Sequence, residues 1–208
     1  MIKQELTLVA TGLILGGLPK DLNGLAYANE QRKKDIEAPP VKPEEIGLNE
    51  NAEEEQKVLS ENVFRRNSEG TLCVDEHVIA AMFREAVWAM ESAKTFKGLW
   101  KRLHTSPYLI PFTYKPEDVT KEVRAFSVTD LKGRRSVVNI HEAIIKPSLS
   151  FTLELHSGKK YEMEQVLNHY RYAGRYIGLG AGRGKSGLEY NYGLFEIEVG
   201  KMTEQPLI

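Results

Sequence analysis

"RYIGLGAGRGKSGLEYNYGLFEIE", Arg175 to Glu198, decides how this chain is read, because a glycine-rich run carrying Gly-Lys-Ser invites comparison with a phosphate-binding loop. A Walker loop needs GxxxxGK[ST] at the start of a helix, so that backbone amides wrap the phosphates. Counting back five from Gly184 reaches Leu179, and Gly180 stands one position too close. A dinucleotide GxGxxG has to lie between a strand and a helix. Here the glycines lie between a predicted helix and a predicted strand, so both nucleotide-fold readings fail.

Glycine lacks a Cβ, so Gly178, Gly180 and Gly182 permit another backbone to come close. Arg175, Arg183 and Lys185 bring charge to the same segment, and Tyr176, Tyr190 and Tyr192 bring flat faces on which bases stack. Glycine, cation and aromatic together predict a surface for single-stranded nucleic acid. The competing reading is a solvent loop with ordinary surface charge.

Working outward, "YEMEQVLNHYRYAGRYIG" begins acidic and predicts a helix with Gly174 as its C-terminal cap, while the run after Tyr192 alternates Leu194, Phe195, Ile197 and Val199 with Glu196 and Glu198 as a closing strand. "LSFTLELHS" predicts a strand with Leu149, Phe151, Leu153 and Leu155 on one face and Ser150, Thr152 and Glu154 on the other. Before it, "KEVRAFSVTD" and "RRSVVNIHEAIIK" joined by a short polar glycine turn predict a hairpin over 121–146 with Lys132, Arg134 and Arg135 at its tip.

In the first half, "VDEHVIAAMFREAVWAMESAK" has helical spacing with Asp75 as N-cap, and it places Trp88 among the apolar positions; Trp88, Trp100, Phe83 and Phe96 are read as core or subunit-contact residues, core being preferred. "VLSENVFRRNSEGTLCV" predicts a hairpin-like element turning at Asn67 to Gly70. Lys3 to Leu15 predicts one opening strand ending at Gly16-Gly17. Ala28 to Lys57, polar, acidic and bearing Pro39, Pro40 and Pro43, predicts a protruding mobile insertion that buries little apolar area. The order β, α, β, β, β, α, β is a split βαβ plan with insertions, in a single domain over 1–208.

The run "GLGAGRGKSGLEYNYGLFEIE" resembles the C-terminal glycine-rich motif of the RAMP superfamily, the RRM-like proteins of CRISPR effector complexes, and most of all their backbone subunits and phage-encoded relatives. Gly178, Gly180, Arg183, Gly187, Gly193 and Phe195 stand at matching places, whereas "YNYG" replaces the usual G-x-G-R and lacks its arginine. The resemblance implies an α+β, modified ferredoxin-like or RRM-like domain that binds single-stranded RNA through its sheet and glycine loop and oligomerises along it. Under it Arg183 and Lys185 contact phosphates, with Lys132, Arg134 and Arg135 clamping from the hairpin. A guide RNA or single-stranded DNA fits the same surface, as does a place in a ribonucleoprotein. The alternatives are an endoribonuclease of the same fold, using Asp130 or His141, and a phage structural or interaction protein that binds no nucleic acid.

Charge bounds these readings. The net charge of −1 offers no global attraction to nucleic acid, so binding has to come from local patches. Lys121, Arg124, Lys132, Arg134, Arg135 and Lys146 face only Glu122, Asp130 and Glu142 in the hairpin segment, and Gly158 to Gly187 is similarly basic. The five histidines, His77, His104, His141, His156 and His169, show no metal-ligand spacing, no GxSxG elbow is present, and no cofactor is implied. One cysteine, Cys73, excludes an intrachain disulfide. Glu5 and the alternation after it argue against a signal peptide, and the apolar run is shorter than the roughly 20 residues of a membrane span, so a cytoplasmic, non-catalytic protein is expected.

Overall fold

The computed structural model describes residues 1–20, 24–30, 40–47, 60–90, 99, 101–130, 133–181 and 192–205, without the side chains of 60, 125–130 and 133–137. Four strands carry the main sheet: β1 (Ile2–Ala10), β7 (Leu103–Ser106), β11 (Ser148–Leu155) and β12 (Phe195–Glu204). They lie in the order β12-β1-β11-β7, all antiparallel. Helix α1 (Glu76–Met90) falls between the first and second of these strands in sequence, and α2 (Lys160–Tyr176) between the third and fourth. This is an α+β arrangement compatible with the ferredoxin-like βαββαβ plan. The expected helix–strand alternation is therefore present at its core.

Alternation explains the layering. Leu6 and Leu8 of β1 and Leu149, Phe151, Leu153 and Leu155 of β11 are buried on the helix side, as the period of two predicts for β11. Helix α1 meets them with Ile79, Met82, Phe83, Ala86 and Val87, and α2 with Met163, Val166, Leu167, Tyr170 and Ala173, both at helical spacing. Phe83 stacks on Tyr170 with centroids 5.1 Å apart, tying the helices together. Of the two readings of Trp88, the core one is corrected: it is 68 % exposed. Two residues past Ala86 it lies about 200° round the helix from the buried stripe. Phe96 and Trp100 lie outside the described residues.

Two further corrections come from backbone pairing. The predicted opening strand breaks in two, because Thr11 turns its amide to the Leu194 carbonyl and Gly12 offers its carbonyl to Lys146. The chain then re-enters as β2 (Leu13–Leu15) in a second sheet. Gly174 does not cap α2, which continues to Tyr176; a Cβ there would overlap the Phe195 carbonyl, so the glycine lets helix and edge strand touch.

The main sheet is extended by β8 (Leu109–Thr113), β6 (Leu72–Asp75) and β5 (Arg65–Arg66). The turn over 67–70 between β5 and β6 is as expected: Asn67 Oδ1 accepts from the Glu69 and Thr71 amides, and Gly70 takes a φ of 79°. The second sheet runs β2-β10-β4-β3, with β3 at Leu18–Pro19, β4 at Ser60–Val63 parallel to β10, and β9 (Val119–Asp130) on the other side of β10 (Gly133–Ile145). β9 and β10 form the expected hairpin, paired continuously from Val119↔Ile144 to Asp130↔Gly133.

The insertion over 28–57 is not wholly a protruding loop. A helical segment over 24–30 and a 3₁₀ turn at Pro43–Ile46 bury Leu25, Val41 and Ile46 against Val63 in a cluster separate from the main core. Its remaining residues, 31–39 and 48–57, lie outside the described residues. No helix among the described residues is long and apolar enough to cross a membrane.

Candidate nucleic-acid interface

Strand β2 is where the distant parts of the predicted site meet. On one side it pairs with β10 through Ala143↔Leu15, and on the other the Ala181 amide donates to the Leu15 carbonyl at 2.9 Å. The glycine-rich segment and the base of the basic hairpin, far apart in sequence, are thus joined through three residues. A second link lies alongside: the Arg124 guanidinium of β9 sits over the Tyr192 ring, 4.9 Å from its centroid.

Gly178 and Gly180 do their work inside the protein. Gly178 and Gly180 have φ of 82° and 85°; a Cβ on Gly180 would stand 2.6 Å from the Leu15 carbonyl oxygen, and one on Gly178 would stand 3.0 Å from the Tyr192 oxygen. At both positions the backbone that comes close is the chain's own, which corrects the expectation of a polymer lying flush there. Tyr192 is corrected likewise. It is 4 % exposed and covered by Arg124, so its face is not offered to a base.

Arg175 is exposed in the last turn of α2. Arg134 and Arg135 lie on β10 eight to nine residues from Ala143, so an extended hairpin holds them roughly 25–30 Å beyond the junction with β2. They and the described glycines of the segment, Gly178 and Gly180, are not brought together. Lys132, Gly182, Arg183, Lys185 and Tyr190 lie outside the described residues.

The open face of the main sheet argues against strand binding there. Lys3, Thr7 and Val9 of β1 share it with Ser150 and Glu154 of β11 and with Glu196 and Glu198 of β12. Lys3 is already paired with Glu154 at 2.8 Å. Exposed Glu5, Glu196 and Glu198 repel phosphate, and among the described residues that pair across this face the aromatic ring is His104, packed edge-on against His156 at 5.1 Å, with no phenylalanine, tyrosine or tryptophan beside it.

Three features mark this junction; the Arg65 and Arg66 networks went unread in the sequence, whereas His141 was named there only as a candidate for cleavage. Arg65, 6 % exposed, donates to Asp75 at 2.6 Å and Glu45 at 2.8 Å, beneath a cavity of about 350 Å³ walled by Leu15, Phe64, Phe112 and Gly180. Burial by itself would lower the pKa of Arg65, but Glu45, Asp75 and Tyr108 outweigh it and the net shift is upward. Arg66 donates to Glu142 at 2.6 Å, and the same carboxylate accepts the Phe64 amide at 3.0 Å. The one signal available was the adjacent arginine pair in "VFRRNSEG", which the turn reading absorbed.

His141 is the third. Its Nδ1 donates to the Gly16 carbonyl at 2.8 Å, and burial, with Arg124 nearby, depresses its pKa below the ordinary histidine value. The fold therefore holds it neutral while the unfolded chain takes up a proton. The stability this contributes is present above pH ~6.5 and is lost as pH falls below it, by up to about 1.4 kcal/mol per pH unit. Urea unfolding between pH 7.5 and 5.5 is expected to show that loss, and His141→Gln to flatten the profile. An unchanged profile would place the neutral imidazole elsewhere. Among the described residues no group of three His, Cys, Asp or Glu side chains is placed to hold a metal ion.

The described elements define an α+β protein with antiparallel main-sheet pairing, a long basic hairpin and a glycine-rich segment docked beside it. In comparisons with known proteins no family model matches the chain. No curated protein matches it either.

Proposed function

We propose that the chain is a RAMP-like, RRM-related protein that binds single-stranded RNA without cutting it and assembles side by side along the strand. The observation that carries this reading is the junction at β2, where the base of a basic hairpin and the glycine-rich segment share one strand. The RNA follows the hairpin and the Arg183–Lys185 segment and avoids the acid-bearing open face of the sheet. Single strands bind such cationic surfaces with strong salt dependence and sites of about 4–16 nucleotides. In this reading Gly178 and Gly180 fold the segment onto β2, and the charges beyond them do the binding.

Fluorescence anisotropy with an unstructured RNA at two salt concentrations tests it. Wild-type protein is expected to bind at micromolar concentration or better, more tightly at low salt. Arg183→Glu with Lys185→Glu is expected to weaken binding at least tenfold with an unchanged melting temperature. Absence of salt-dependent binding by the wild type overturns the proposal. The close contacts at Gly178, Gly180 and Gly193 favour a second reading, in which the segment serves packing alone. Under it the double charge reversal has no ligand to lose.

A further inference from the structure

The solvent side of α2 carries a feature that packing does not account for. Tyr172 and Tyr176 stand one turn apart with ring centroids 4.9 Å apart, tilted by 46°. Tyr172 is partly buried against the main core, whereas Tyr176 is 46 % exposed. The outer ring therefore leans on one the fold holds in place, which reduces the ordering that a ligand stacked on it would impose.

Cations flank this pair. Arg171 and Arg175, both exposed, each precede a tyrosine by one position and lie one turn apart, about 6 Å along the helix axis. Arg171 donates to Asn168 Oδ1 at 2.7 Å, and among the described residues neither arginine has an ion-pair partner. The acids of α2 are Glu162 and Glu164, both near its start, and Glu162 is held by Arg102 at 2.7 Å. From Gln165 to its end the helix carries no negative charge.

We propose that Arg171, Tyr172, Arg175 and Tyr176 form a second contact surface for single-stranded nucleic acid, in which a base stacks on Tyr176 and the two guanidinium groups neutralise successive phosphates. The inference rests on the reading that the chain binds a single strand, but it uses neither the hairpin cations nor Arg183 and Lys185; Arg175 and Tyr176, which the sequence grouped with the glycine-rich segment, belong to α2. The partner chemistry follows from the surface. A flat, accessible ring is satisfied by an unpaired base, whose face a duplex would hide, and the two exposed guanidinium groups fit a polyanion. The helix passes within two residues to Gly178, so a strand leaving this surface meets the glycine segment directly.

The test is anisotropy with a fluorescein-labelled twenty-nucleotide oligouridine across a salt series. Tyr176→Leu is expected to weaken binding about tenfold, the effect of losing one stacked base, while Tyr176→Phe retains wild-type affinity. Arg171→Gln with Arg175→Gln is expected to reduce the slope of log K against log salt by about 1.4, two single-strand phosphate contacts. Both sites are exposed, so melting temperatures are expected to match the wild type. If these variants bind like wild type while Arg183→Glu with Lys185→Glu loses affinity, the helix surface is overturned and the main reading stands. If Tyr176→Phe weakens binding as much as Tyr176→Leu, stacking is excluded. No binding by the wild-type protein removes both proposals together.

Discussion

Replacing Arg65 by methionine is expected to lower the free energy of unfolding by about 3–5 kcal/mol, because it strips a cation from buried carboxylate company while keeping most of the side-chain volume. Asp75 is 3 % exposed, and its contact with Arg65 is the shorter of the two ion pairs, so the cost concentrates there. Glu45 is more accessible, and Glu45→Gln is expected to cost only about 1 kcal/mol. Urea denaturation of Arg65→Met, Asp75→Asn and the double variant closes a thermodynamic cycle. Because the two residues share one interaction, the double variant should be less destabilised than the sum of the singles by about 1–3 kcal/mol. Strict additivity would mean the pair does not act as a unit. Arg65 also joins the 3₁₀ turn at Pro43–Ile46 to the start of α1, so protease sensitivity near Glu45 should rise in Arg65→Met before global unfolding.

That network also shows where reading from sequence stops. Periodicity exposed β11, α1 and α2, because each buries one face and its apolar spacing records which one, while a glycine in a short polar joint exposed the β9–β10 hairpin. Asn67 and Gly70 exposed their turn because each satisfies a local backbone demand. Nothing local recorded the partners of Arg65, which come from Glu45 and Asp75 on separate elements. The split of the opening strand was equally hidden, since the apolar alternation continues across Thr11 and Gly12 while the hydrogen bonds change sheets. In the site, sequence located two basic segments but not their shared strand, and it read Tyr192 as a free face although Arg124 lies over it. A glycine announces that something comes close without saying what, and at Gly178, Gly180 and Gly193 the visitor is the protein itself.

Gly193→Ala is the sharpest measure of that last point. Gly193 has a φ of 67°, its amide donates to the Leu13 carbonyl at 2.7 Å, and its carbonyl accepts the Leu179 amide at 2.9 Å. It is clasped between the start of β2 and the glycine segment, and a methyl group would overlap the Leu179 carbonyl oxygen. Two costs then add: the left-handed backbone of a non-glycine residue, about 1–2 kcal/mol, and the displacement of a hydrogen-bonded neighbour. A loss of about 4 kcal/mol or more is expected. Gly70→Ala separates the two, because Gly70 has a φ of 79° with nothing within 4 Å of the new methyl group, so it carries the backbone cost alone. Thermal or urea unfolding should therefore place Gly70→Ala about 1–2 kcal/mol below wild type and Gly193→Ala well below that. Equal losses would show that the clasp around Gly193 yields freely, and with it the attachment of the glycine-rich segment to β2.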